Sequence, residues 1–190
     1  MRALLLEPDP KWIEERRRLG HDRFDEVWDG VLHVVPSPTV EHQRFESALE
    51  RALYPVATSH GLEIFHNLDI VDRSKGDEDY RQPDIAIVSS KDLTGKRAID
   101  GHAELVVEIR SPNDESYDKL PFYERCGIPE YWIVHPVTRE IVVFVLRGGS
   151  YVASKPDADG VIDAPRFALR LRLIDGPKLR ITWADGSADI

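Results

Sequence analysis

Cysteine is nearly absent: Cys126 is the only one in 190 residues. An internal disulfide is therefore excluded, and the composition suits a reducing cytoplasm. Long apolar runs are missing as well, so the sequence offers no membrane span. The opening "MRALLLEPDP" holds only four apolar residues in succession, Ala3 to Leu6, before Glu7. That is too short for the apolar region of a secretory signal. No repeat or low-complexity tract is visible. Neither common glycine-rich phosphate loop occurs, which excludes GxGxxG dinucleotide sites and GxxxxGK[ST] nucleotide sites. Basic charge is in deficit, with a formal net charge of -9. Such a balance argues against tight, unspecific wrapping of nucleic acid. It leaves room for a local basic cleft, and an acidic cluster that binds cations would itself lower the count.

What is present reads as one soluble globular domain: 42% of residues are apolar and 31% charged, near ordinary usage. A short helix is expected over 10–20, with Pro10 at its start and Gly20 after its end. "DEVWDGVLHVV" (25–35) predicts a hairpin turning at Asp29-Gly30, a pair that suits a type I′ turn. The longest helical pattern lies within 37–61, where Phe45, Leu49, Ala52, Leu53 and Val56 recur on one face. Pro38 fits its first turn and Gly61 its end. Strands are expected at 61–72, 83–90, 103–110 and 129–136, with a polar loop at 73–82. A short helix is expected at 118–127, capped by Asp118. A hairpin turns at Gly148-Gly149, and further strands follow in 161–183. The order implies an α/β fold with a mixed sheet.

Within this pattern "AELVVEIRSP" (103–112) poses a chemical problem. Strand alternation puts Glu104, Val106, Glu108 and Arg110 on one face, so Glu108 enters an otherwise apolar strand. Removing an ionised carboxylate from water costs several kcal/mol unless something answers it. Asp84 raises the same question at the start of "DIAIV". Lys119 follows Glu108 by eleven residues, at the beginning of a helix. If the strands are neighbours, Asp84, Glu108 and Lys119 converge. Carboxylate oxygens are hard ligands suited to Mg²⁺ or Mn²⁺, which can activate water and polarise a phosphate. The competing structural readings are a turn aspartate satisfied by backbone N–H groups, a buried ion pair of Glu108 with Arg110 or Lys119, and a solvated Lys119. Tyr123 and Trp132 read as core residues. Arg16, Arg17 and Arg18 read as a solvated helix face, and Arg170, Arg172 and Arg180 as an exposed strand face.

The ordered set "WDGVLHVVPSPTVEHQ" (28–43), Pro83-Asp84, "VVEIRSP" (106–112) and "DKLPFYERCGIPEYWIVHP" (118–136) resembles the Uma-two family of restriction-endonuclease-like proteins, within the PD-(D/E)XK nuclease superfamily. The likeness spans about 22–150. It implies a restriction-endonuclease-like core, a mixed β-sheet flanked by helices, preceded here by the N-terminal helix and hairpin. The chain is then a single domain, 1–190, with a C-terminal extension at 151–190. The resemblance also implies Mg²⁺-dependent hydrolysis of DNA phosphodiester bonds, with Mn²⁺ as a substitute. Asp84 and Glu108 match the motif carboxylates, with the Ile109 carbonyl as a third metal ligand. His42 matches a helix histidine that could complete the metal shell. The usual motif lysine would fall at 110, where this chain has Arg110; Lys119 matches the family's displaced lysine. Which cation acts is left open, and His135 receives no catalytic role. A homodimer would let two sites cut two strands. The rival expectation is a nuclease-fold protein that does not cleave and serves as a regulatory or protein-interaction module.

Overall fold

The computed structural model describes residues 3–5, 9–72, 74–75, 78–94, 98–111 and 115–190. Pro112 of the "RSP" turn and parts of the 73–82 loop lie outside the described residues. In chain order the first half comprises β1 (Ala3–Leu5), α1 (Pro10–Leu19), β2 (Glu26–Trp28), β3 (Val31–Val34), α2 (Val40–Ser59), β4 (Glu63–Phe65), β5 (Asp69–Val71), β6 (Tyr80–Arg81) and β7 (Ile85–Val88). Then come β8 (Leu93–Thr94), β9 (Ala98–Asp100), β10 (Leu105–Ile109), α3 (Leu120–Arg125), β11 (Glu130–Val134), β12 (Ile141–Arg147) and β13 (Ser150–Ala153). The chain closes with β14 (Val161–Ala164), β15 (Leu169–Ile174), β16 (Lys178–Trp183) and β17 (Gly186–Asp189).

Local chemistry explains the helix ends. Asp9 caps α1 by accepting from the Lys11 N–H at 2.9 Å, Pro10 occupies the first turn, and Gly20 closes it in the left-handed region at φ 68°. Thr39 caps α2 through the His42 N–H. Pro38 therefore precedes the cap instead of lying in the first turn. The β2–β3 hairpin turns where expected, with Asp29 and Gly30 both at positive φ, as a type I′ turn requires. The 61–72 segment is not one strand. It breaks at His66 and Asn67, so that β4 and β5 join different sheets.

The central sheet runs β13-β12-β11-β10-β7-β4. Only β10 and β11 are parallel in it, joined by the crossover that contains α3. β10 and β11 are buried at every position, hence their nearly unbroken apolar sequences. One face, with Leu105, Val107, Ile109, Trp132 and Val134, packs on Phe45, Leu49 and Leu53 of α2. Leu169, Leu171, Leu179 and Ile181 of the four-stranded antiparallel C-terminal sheet join the same cluster. The other face, with Val106, Tyr131 and Ile133, packs on Phe122 and Tyr123 of α3. Ile70 and Ile99 of the second sheet, β1-β3-β2-β6-β5-β9-β8, lie with them. The fold is thus α/β with a mixed sheet flanked by helices, behind an N-terminal helix and hairpin. Leu53 is fully buried, and Leu53→Ala is expected to cost about 2–5 kcal/mol.

Candidate active site

The register of β7 against β10 builds the site. Ile85 pairs with Val107, and continuing that antiparallel register by one residue sets Asp84 opposite Glu108. Asp84 Oδ2 accepts from the Ile109 N–H at 2.6 Å. The structural reading of Asp84 as an acceptor of a backbone N–H therefore holds for one oxygen. Alternation places Glu108 on the α3 face beside Val106, at 5% exposure. Two carboxylates directly across a strand pair repel one another. Burial and the charges of Asp84 and Glu26 push the Glu108 pKa up to about 8, against the opposing pull of Lys119.

Lys119 is not solvated; it is 5% exposed. Its ammonium donates to Glu108 Oε1 at 2.9 Å and to Glu26 Oε1 at 2.8 Å. Burial disfavours that charge, but Glu108 and Glu26 outweigh it and hold the lysine above its usual pKa. Lys119 thus stays an ammonium even where Glu108 is neutral, because Glu26 still answers it. The short helix begins one residue later than expected. Ser116–Lys119 forms a 3₁₀ turn, and Lys119, not Asp118, is the residue before α3. Arg110 points elsewhere: it is exposed, with its guanidinium 6.0 Å from the Tyr117 ring centre.

Two neighbours were not anticipated. Glu26, from β2 of the second sheet, accepts from Lys119, from the Gln82 N–H at 2.9 Å and from Trp28 Nε1 at 2.7 Å. It sits between Asp25 and Val27 in a short hairpin strand, without the apolar surroundings that mark Glu108, and lies 82 residues away from it in sequence. Tyr123 is a core residue as expected, yet its hydroxyl also donates to Glu108 Oε1 at 2.9 Å. Trp132 is core, its Nε1 bonded to Glu130. His135 accepts from the Val137 and Thr138 N–H groups, which gives it a turn-holding role.

His42 enters from α2. Its Nε2 stands 3.2 Å from Asp84 Oδ2. Burial presses the ring toward neutrality, but Asp84, Glu46 and a hydrogen bond to the Ile109 carbonyl raise its pKa overall. Asp84, Glu108, Glu26, Lys119, His42 and Ile109 all line one cleft of about 540 Å³. Gln82, Arg110, Phe24 and Pro136 border it too.

The donor set fits a hard divalent ion. Among the described residues, both hydrogen bonds to Asp84 fall on Oδ2 or reach it from His42, and both to Glu108 fall on Oε1. Asp84 Oδ1 and Glu108 Oε2 carry no hydrogen bond among the described residues, and an ion bound to them would relieve the repulsion that raises Glu108. No group of three or more His, Cys, Asp or Glu side chains among the described residues forms a metal cage. Mg²⁺ does not need one, since it commonly uses one or two carboxylates and keeps water and substrate phosphate as its other ligands.

Comparison with known proteins agrees with this architecture. The profile of the Uma2 family, described as "Putative restriction endonuclease", matches residues 13–173, and the chain belongs to that family. A search of curated proteins found no match. Among solved structures, the fold is similar to a protein of Anabaena variabilis ATCC 29413 described as a "putative nuclease belonging to DUF820". The TM-score is 0.56 at 17% identity, over 76% of this chain and 83% of that one.

Proposed function

We propose that the protein is a metal-dependent endonuclease that hydrolyses DNA phosphodiester bonds. The observation that carries this reading is the pairing of Asp84 with Glu108 across the end of β7 and β10, beside a buried ammonium and on the wall of a cleft. In this reading Asp84, Glu108 and the Ile109 carbonyl would hold Mg²⁺ or Mn²⁺. The ion would supply Lewis acidity and a water of lowered pKa.

The chain's own residues do the rest. Glu108 Oε1 and Glu26 Oε1 occupy two of the three Lys119 donors, and the third can orient the attacking water or meet charge on the phosphate. Tyr123 holds Glu108 from below. His42 sits where it secures Asp84 and the Ile109 carbonyl, so we assign it to positioning in preference to coordination. Arg110, on the cleft rim, is placed to meet a flanking phosphate. Family membership and the nuclease description of the similar fold support the reading.

The same reading treats residues 1–190 as one cytoplasmic domain, consistent with one apolar cluster shared by α2 and the C-terminal sheet. Among the described residues, no helix is long and apolar enough to cross a membrane. Cutting both strands would call for a homodimer. The test is cleavage of plasmid, linear duplex and single-stranded DNA with Mg²⁺ or Mn²⁺. Activity that persists in both Asp84→Ala and Glu108→Ala overturns the assignment. The rival reading, a nuclease-fold module that binds without cutting, draws on the net charge of -9 and on Arg110 at the usual lysine position. It predicts no turnover with any divalent ion.

A further inference from the structure

Behind Asp84 runs a line of alternating imidazoles and carboxylates, of which the proposed reaction draws on His42 alone. His42, Glu46 and Glu50 recur every four residues on α2 and so share a face. His66 reaches that face from the turn after β4. The contacts are Asp84 Oδ2 to His42 Nε2 at 3.2 Å, His42 Nδ1 to Glu46 Oε2 at 3.7 Å, Glu46 Oε1 to His66 Nδ1 at 2.6 Å and His66 Nε2 to Glu50 Oε2 at 3.4 Å. Burial grades along the line: the side chains of His42 and Glu46 are 8% and 9% exposed, those of His66 and Glu50 are 31% and 41%.

The line has a mechanical consequence. An imidazole ring held only at Nε2 can swing about that contact. A carboxylate facing Nδ1 limits the swing, and Glu46 can do so only if it is itself held. His42 Nδ1 is buried and makes no hydrogen bond among the described residues, so Glu46 confines the ring by the placement of its carboxylate, Oε2 lying 3.7 Å away. The short bond from His66 holds Glu46. His66 is in turn anchored beside the site, because the Asn67 N–H donates to the Pro83 carbonyl at 3.1 Å, next to Asp84.

We propose that Glu46 and His66 are positioning residues for the ion site: they fix the His42 ring, which fixes the Asp84 carboxylate and the Ile109 carbonyl. This rests on the assignment of those two groups as ion ligands. Partners one step removed from metal ligands commonly change metal affinity or activity 10- to 100-fold.

The test uses the full chain and two readouts. In the metal-free protein labelled with ¹⁵N-histidine, His66→Phe is expected to shift the His42 ring nitrogens. In Mn²⁺ titrations by calorimetry, His66→Phe is expected to weaken binding about 10-fold. Cleavage at saturating Mn²⁺ should stay within about threefold, since Lys119 and Glu108 are untouched. His66→Asn, whose amide nitrogen can stand where Nδ1 does, is expected to restore affinity. Should His66→Phe fail to fold, Glu46→Gln asks the same question with shape retained. Unchanged His42 signals together with unchanged Mn²⁺ affinity overturn the proposal. Weakened binding that His66→Asn does not restore also overturns it, since a merely structural defect would behave so. Wild-type protein that takes up no Mn²⁺, while His42 still responds to His66→Phe, overturns the ion site and leaves only a coupled ring.

Discussion

Glu130 and Glu108 lie on adjacent parallel strands of the same sheet, and both are carboxylates almost wholly removed from water. In both, burial pushes the pKa up. Their surroundings differ. Glu130 accepts from Trp132 Nε1 at 2.8 Å and from the Arg166 N–H at 2.9 Å, one bond to each oxygen. Nearby, Arg166 bonds Glu104 at the other end of β10. Glu130 is satisfied by donors and borders apolar packing. Glu108 takes both its hydrogen bonds on one oxygen, faces two further carboxylates, and lines the cleft. Burial of an acid is therefore a poor sign of function by itself. A buried acid set among like charges, with an oxygen left over toward a cleft, is a better one.

The comparison can be broken most directly by substitution at the two sites. Asp84→Ala or Glu108→Ala is expected to lower metal-dependent cleavage at least about 100-fold, as loss of a ligand should exceed loss of its supporting partner. Glu130→Gln should leave cleavage within a few-fold while lowering stability by about 1–3 kcal/mol, because its backbone and indole donors lose their charged acceptor. Equal losses of activity at 108 and 130, in proteins shown to be folded, would erase the distinction.

A stability effect comes next. Lys119→Met removes the cation that answers Glu26 and Glu108, and is expected to destabilise the metal-free protein by about 3–5 kcal/mol in denaturant unfolding. Mn²⁺ should recover part of that loss.

A pH dependence follows from the same site. The folded pKa of Glu108 lies above its ordinary value of 4.5, at about 8. The folded state therefore holds a proton that the unfolded state has lost between those values. The contribution of Glu108 to stability is fully present below pH 4.5, declines as pH rises, and is gone above about pH 8. We expect the unfolding free energy of the metal-free protein to fall across that window, read by denaturant unfolding at a series of pH values. Saturating Mn²⁺, which favours the ionised carboxylate, should flatten it. A Glu108→Gln protein that shows the same slope would assign the effect to another group.

Least affected should be Arg110→Ala. The residue is exposed on the rim, so the unfolding temperature should not move, and cleavage at saturating substrate should fall less than tenfold. A cleavage loss as large as that expected of Asp84→Ala would make Arg110 an acting cation.

Much of the fold was legible along the chain. The β2–β3 turn followed from Asp29-Gly30, the inward face of α2 from the spacing of Phe45, Leu49 and Leu53, and the placement of Glu108 beside Val106 from strand alternation. The candidate trio of Asp84, Glu108 and Lys119 was legible for the same reason: a charge inside an apolar pattern is a local anomaly. Glu26 was overlooked because its hairpin reads as a half-exposed edge, and nothing along the chain shows that a second sheet brings it against Lys119. The break at His66-Asn67 was hidden because both halves of 61–72 are β-prone. Asn67 adopts φ 50° there, in the left-handed region that asparagine tolerates.

By itself, then, the order of residues determined which side chains had to find a partner, since apolar periodicity and a misplaced charge are properties of neighbours in sequence. Only the tertiary structure decided who those partners are. Asp84 meets Glu108 through strand register, Glu26 meets Lys119 across two sheets, and His66 meets Glu46 across a turn. These contacts join residues 20 to 93 positions apart, and Coulomb and hydrogen-bond energies fall off over a few ångströms of space whatever the distance along the chain.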